Sequence, residues 1–186
     1  VSKLVERGIT PHVIIRPGSV LSRLGDMDDL KTYLYDGSIN SIINAARFAS
    51  ADVCIHLAGA YARDHTFEDI ENLVESNIRF GAQLLEAMKM CGTQKLVHVG
   101  STFQYFEDQA YRPLNLYAAT KQAFMDLALY YVDAEDFDIV SIILPDVYGP
   151  NDWRSKVISQ IVDAHVQRST LNMIDKNTVL GLVHVD

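Results

Sequence analysis

The chain is predicted to adopt a doubly wound α/β fold built on a parallel sheet, and three observations predict it. Short runs of Val, Ile and Leu recur along the sequence at consecutive positions, the pattern of strands buried on both faces. Between them lie longer segments with apolar residues at helical spacing. Turn residues close the strands in a regular rhythm, as in Pro17, Gly18 and Ser19, then Asp36, Gly37 and Ser38, then Ala58, Gly59 and Ala60.

Taken in order, residues 1–8 read as the last turns of a helix, with Leu4 and Val5 apolar and Gly8 as its cap. Residues 12–16 form a strand ending at Arg16, and residues 32–35 form another. Residues 39–49 have helical spacing, and residues 52–57 are a third strand. A long helix is expected over 67–91, with Ile70, Leu73, Val74, Ile78, Leu84, Leu85 and Met88 on its apolar side, Lys89 in its last turn and Gly92 as its stop. Residues 95–99 are a strand, 116–132 a helix after Pro113 and Asn115, and 138–144 a strand that leaves through Pro145. A helix over 155–167 and a last strand over 179–185 complete the pattern. It calls for a glycine-rich phosphate turn, yet no G-x-x-G-x-x-G occurs in the sequence. With a helix leading into the first visible strand and a strand cut short at the other end, the chain is expected to be a piece of a larger protein.

Composition removes several function classes. A hydrophobic share of 48% with 22% charged residues fits a globular domain and is too apolar for a disordered one. A formal net charge of -8 argues against a broad nucleic-acid surface. No apolar run approaches the ~18 residues of a membrane span. Cys54 and Cys91 make no disulfide framework, so a cytoplasmic location is expected. No His, Cys or Asp cluster has metal-binding spacing, and no metal is expected. His56 and His98 lie inside apolar strands and read as core histidines with satisfied rings.

Four features carry chemistry. Tyr117 and Lys121 are four residues apart, which places a phenol and an ammonium on one helical face; a cation there favours phenolate, the basis of a working acid/base. Ser101 follows the strand over 95–99, at the carboxyl edge where such sheets bind ligands, and could hydrogen-bond a carbonyl oxygen or simply cap a turn. Asn77 stands seven residues from both Ile70 and Leu84, on the buried stripe of its helix, where an amide must find partners. Arg16, with Arg23 beyond the turn, ends a strand that in a nucleotide-binding sheet faces the adenosine ribose. An acid at that point binds a 2'-hydroxyl, whereas Arg can take a 2'-phosphate; a solvated strand-end Arg is the plainer alternative.

Ser101, the Tyr117/Lys121 pair, the segment from His56 through Gly59 and the run Asp146, Val147, Tyr148, Gly149 and Pro150 together resemble the extended short-chain dehydrogenase/reductase family, the sugar-nucleotide epimerases and dehydratases. The resemblance implies a Rossmann domain over residues 1–150 with strand order 3-2-1-4-5-6-7, its first strand and glycine loop lying upstream of Val1. Residues 151–186 would begin the substrate side, most of the substrate domain being absent. It implies that Tyr117 is the catalytic acid/base, that Lys121 binds the nicotinamide ribose, and that Ser101 bonds the substrate carbonyl. Asp36 and Gly37 match the family's contact to adenine. Ala58, Gly59 and Ala60 match the stretch along the pyrophosphate and ribose, and Asn77 the family's helix Asn. Leu144, Pro145 and Val147 match the loop beside the nicotinamide, while Thr102, Phe103 and Asp146 fall on the substrate side.

Two departures matter. Asp146 replaces the family's usual Asn. Thr102 and Phe103 stand where the dehydratases carry an acid pair, so a 4,6-dehydratase lacks its elimination residues. The segment from Ser101 to Tyr105 and the run from Asn115 to Phe124 are most similar to CDP-4-keto-6-deoxyglucose reductases of the abequose-synthase kind. The expected activity is therefore reduction of a 4-keto-6-deoxy sugar nucleotide, with NADPH preferred through Arg16 and NAD possible. The alternative is an NAD-dependent sugar-nucleotide 4-epimerase. A Rossmann module that senses cofactor without catalysis is a third class, against which the Tyr/Lys pair argues. The resemblance also implies a homodimer paired through a four-helix bundle.

Overall fold

Every strand pairing is parallel, as buried apolar runs linked by helices require. A computed structural model describes residues 1–20, 30–150, 152, 156–172 and 179–185. After a short helix α1 (Ser2–Glu6), strands β1 (His12–Ile15) and β2 (Lys31–Leu34) pair with each other. Helix α2 (Ile39–Ala49) follows, capped by Ser38, whose hydroxyl accepts the Ser41 N–H at 3.4 Å. Strand β3 (Val53–His56) pairs with β4 (Lys95–Ser101), and β4 with β5 (Asp138–Leu144), in the order β3-β4-β5. Strands β6 (Asp146–Tyr148) and β7 (Leu182–His184) form a third, two-stranded sheet.

These pairings fit the expected strand order. β1 and β3 are not hydrogen-bonded to each other. Val53 and Ile55 of β3 stand exposed. The α/β architecture is thus the one the apolar runs predict.

The core lies between β4 and the helices on one side of it. Ile42 and Ile43 of α2 meet Leu84, Leu85 and Met88 of α4 (Phe80–Cys91) and Phe124 of α5 (Leu116–Glu135). Helix α6 (Val157–Gln167) begins within the expected span; Ser155 lies outside the described residues. The last strand is shorter than expected and is defined by its pairing with β6, a strand the turn-rich sequence does not announce.

The long helix holds the largest departure. Its α-helical ends, α3 (Asp69–Val74) and α4, are joined by a π-helical turn at Glu75–Arg79. A π turn adds residues without breaking the helix and rotates the faces on either side of it. Ile70 and Val74, expected on the buried side, are therefore 45% and 41% exposed. The buried line instead runs through Leu73, Asn77, Gly81, Leu84 and Met88. Asn77 lies inside the π turn and is buried, with the partners given next.

Candidate active site

The register of the sheet puts three loops side by side. His56 pairs with His98, and Ser101 pairs with Leu144, so the carboxyl ends of β3, β4 and β5 share one edge. Ala58, Gly59 and Ala60 leave β3 there. Ser101 ends β4, with Thr102 and Phe103 in a 3-10 turn after it. Leu144 ends β5, and Pro145 leads into Asp146 and Val147 of β6.

Asn77 ties the β3 loop to α5. Its Oδ1 accepts the Ala60 N–H at 2.7 Å, and its Nδ2 donates to the Ala60 carbonyl at 3.0 Å and to Thr120 Oγ1 at 2.8 Å. The Thr120 hydroxyl donates to the Tyr117 carbonyl at 2.8 Å. Asn77 is 1% exposed, so each of these bonds replaces one that water would make. Its amide is spent on the protein, and its work is to fix the loop beside Tyr117 and Lys121. Asn77→Leu would orphan the buried Ala60 N–H. We expect it to lower stability by about 2–4 kcal/mol, read by denaturant unfolding.

Tyr117 and Lys121 lie on successive turns of α5, which Asn115 caps by accepting the Ala118 N–H at 3.0 Å. Lys121 is buried at 5% exposure beside the β3 loop. A Cβ placed on Gly59 would come within 3.0 Å of Asn77 Oδ1 and 3.8 Å of Lys121 Nζ, so glycine lets the loop approach both. Burial pushes the Lys121 ammonium down to about 8. Below it, burial first and the Lys121 charge second hold His56 near 3 and His98 near 4, so both imidazoles are neutral. Both histidines are in the core as expected. The ring nitrogens of His98, however, have no hydrogen-bond partner among the described residues, so that ring is packed but not satisfied. It packs against Phe124 at 4.6 Å between centroids.

The serine turn is fastened to the start of α5. The Leu114 N–H donates to the Phe103 carbonyl at 2.8 Å. Ser101 Oγ accepts the Phe103 N–H at 3.3 Å, which leaves the hydroxyl proton for another acceptor. Tyr61, absent from the sequence expectation, sets its ring against that of Tyr117 at 4.9 Å, edge to face. A cleft lies at the ends of β1 and β2. Arg16, Pro17, Gly18, Ser19, Tyr35, Asp36 and Gly37 line this cleft of about 400 Å³. The Asp36 carboxylate accepts the Ser38 N–H at 2.9 Å, and the hydrogen bonds from Ser38 hold its pKa below the ordinary value. Arg16 and Asp36 thus share one cleft; Arg23 lies outside the described residues.

Comparison with known proteins points the same way. The sequence model of the NAD dependent epimerase/dehydratase family matches residues 1–186. The CDP-abequose synthase of Yersinia pseudotuberculosis is 26% identical over 157 residues, 83% of this chain and 53% of that protein. That of Salmonella typhimurium is 29% identical over 109 residues, 59% and 36% of the two chains. The chain thus spans about half or less of the length of these curated relatives. The UDP-glucose 4-epimerase of Thermus thermophilus, solved with NAD, superposes with a TM-score of 0.83 at 22% identity, covering 99% of this chain and 65% of that one. At that identity the likeness bears on the fold. Among the described residues, no helix is long and apolar enough to cross a membrane.

Proposed function

We propose, from the premise that this chain belongs to the NAD dependent epimerase/dehydratase family, that the intact protein reduces the 4-keto group of a 4-keto-6-deoxy sugar nucleotide with NADPH as preferred donor. The observation that carries this reading is the site edge itself: Tyr117 and the buried Lys121 on α5, beside the β3 loop and bonded through the Phe103 carbonyl to the turn of Ser101. The two CDP-abequose synthases among its relatives support the substrate class.

The residues present fit a dinucleotide at both ends. A cleft of about 400 Å³ is in the range that takes an adenosine, with Asp36 as acceptor for its amine and Arg16 for a 2'-phosphate. Lys121 would hold the nicotinamide ribose hydroxyls, and Ala58, Gly59 and Ala60 would border the dinucleotide between. A nicotinamide bound in this place would supply a hydride to the ketone carbon. Tyr117 would give its phenolic proton to the ketone oxygen, completing the alcohol. Ser101 would donate a hydrogen bond from its hydroxyl to the same oxygen, keeping its proton, and stabilise the charge that builds there. The Lys121 ammonium favours the phenolate left behind. Leu144, Pro145 and Val147 would border the nicotinamide. Thr102, Phe103 and Asp146 would face the sugar. The Lys156 ammonium donates to the Val147 carbonyl, holding that loop to the start of α6.

A cytoplasmic homodimer belongs to the same reading, and the exposed Leu127 and Tyr130, three residues apart on one face of α5, offer an apolar contact for it. The test is a reductase assay of the intact protein, with NADPH and NADH in competition. One charge-assisted contact from Arg16 contributes about 1.5–3 kcal/mol, roughly a 10- to 150-fold preference for NADPH. Arg16→Ala is expected to remove that preference while leaving NADH affinity as it was. Equal affinities unmoved by the substitution, with hydride returned to the sugar and no net oxidation of cofactor, would replace this reading with a 4-epimerase.

A further inference from the structure

We propose that Gln104 is a positioning residue for Ser101, and that a directed chain of side chains from Gln104 through Gln122 to Asp126 sets the serine against the helix carrying Tyr117 and Lys121. The inference rests on the role given to Ser101 above. Gln104 is 0% exposed, and both ends of its amide are engaged. Its Oε1 accepts the Ser101 N–H at 2.9 Å, and its Nε2 donates to Gln122 Oε1 at 3.0 Å. Gln122 Nε2 in turn donates to Asp126 Oδ1 at 3.0 Å.

The direction of this chain has a chemical cause. An ionised carboxylate only accepts, so Asp126 turns the nitrogen of Gln122 toward itself. The Gln122 oxygen then faces Gln104 and draws its nitrogen, which leaves the Gln104 oxygen for the serine N–H. The amide of Gln104 cannot flip without opposing two donors or two acceptors. Strand β3 ends opposite His98, short of Ser101, so the side chain of Gln104 takes the place of a further strand at that N–H. Room for it exists because position 100 is glycine: a Cβ there would lie 2.8 Å from Gln104 Oε1.

The consequence is geometric. Gln122 follows Lys121 directly and shares α5 with Tyr117, so the brace ties the serine backbone to the helix that bears the proton donor. Ser101 Oγ accepts the Phe103 N–H, so fixing the backbone also fixes where the hydroxyl oxygen sits. A misplacement of about 1 Å in such an arrangement can cost roughly 100-fold in rate.

The test uses the intact protein and three variants. Gln104→Leu should lower kcat about 10- to 100-fold with KM and dinucleotide affinity little changed. Gln104→Glu can accept the Ser101 N–H when ionised but donates to Gln122 only when protonated. Its activity should therefore recover as pH falls through the carboxylate range, unlike that of the wild type. Gln122→Leu, nearer the helix surface, breaks the same chain and should lower kcat in the same direction even where Gln104→Leu fails to fold. Amide hydrogen exchange of residues 100–104, followed without substrate, should quicken in both Leu variants. Wild-type kcat in Gln122→Leu, or a Glu variant without the acid recovery, would overturn the brace, as would unchanged exchange. Faster exchange in a protein that turns over no sugar nucleotide would keep the brace and defeat the proposed function instead.

Discussion

Tyr117→Phe in the intact protein is expected to lower kcat by about two to four orders of magnitude, the usual contribution of a positioned general acid. The ring remains, so its edge-to-face contact with Tyr61 and the cap at Asn115 should persist. Lys121 is untouched, so dinucleotide affinity should stay within about twofold, a difference below about 0.5 kcal/mol. The loss should appear in kcat and kcat/KM alike, because in the proposed reaction the proton leaves the phenol only as the ketone is reduced. Steady-state kinetics together with cofactor titration decides it. Unchanged turnover would remove Tyr117 from the mechanism, and a loss confined to KM would make it a binding residue.

The sheet and most helices were legible because their determinants are local. The strand over 138–144 and the helix over 39–49 have the predicted bounds, since a continuous apolar run, or a serine cap with helical spacing, decides each within its own span. The π turn at Glu75–Arg79 was not legible. It contains Asn77, whose side chain bonds Ala60 and Thr120, and no local pattern encodes bonds to such distant residues. The pair β6 and β7 was hidden for the same kind of reason. Each is three residues long and exists through pairing with the other, across α6.

At the site, residue types and spacings pointed to Tyr117, Lys121, Ser101 and Asn77, because a phenol beside an ammonium and an amide on a buried stripe are visible in one dimension. What they touch was not. Thr120 lies between Tyr117 and Lys121 and completes the Asn77 network through a hydroxyl that reads as ordinary in a helix. Gln104 did leave a signal. Ser101 followed three residues later by Gln104 is the spacing of a reciprocal helix cap, which the structure forms. That Gln104 is fully buried follows from its neighbours Gly100 and Gln122, and only the fold brings them together.

Lys121→Met should separate function from stability in opposite directions. The intact protein should lose roughly 100- to 1,000-fold in kcat/KM, because on the proposed reading no ammonium remains to hold the ribose or favour the phenolate. The cofactor-free protein should become more stable. Burial holds the folded-state pKa of Lys121 at about 8, below its ordinary value, so the folded protein binds this proton less tightly than the unfolded chain. Between about pH 8 and 10 the unfolded state carries more protons, and stability rises with pH through that window. Below pH 8 the charged ammonium is buried at full cost among the neutral rings of His56 and His98. Methionine fills similar space without that charge, so the variant should gain on the order of 2 kcal/mol there, a gain that fades as pH approaches 10. Denaturant unfolding of both proteins across this range is the measurement. Parallel pH profiles would mean that Lys121 reaches solvent in the folded state, and a less stable variant at pH 7 would mean that its ammonium is held by a partner worth more than its burial costs.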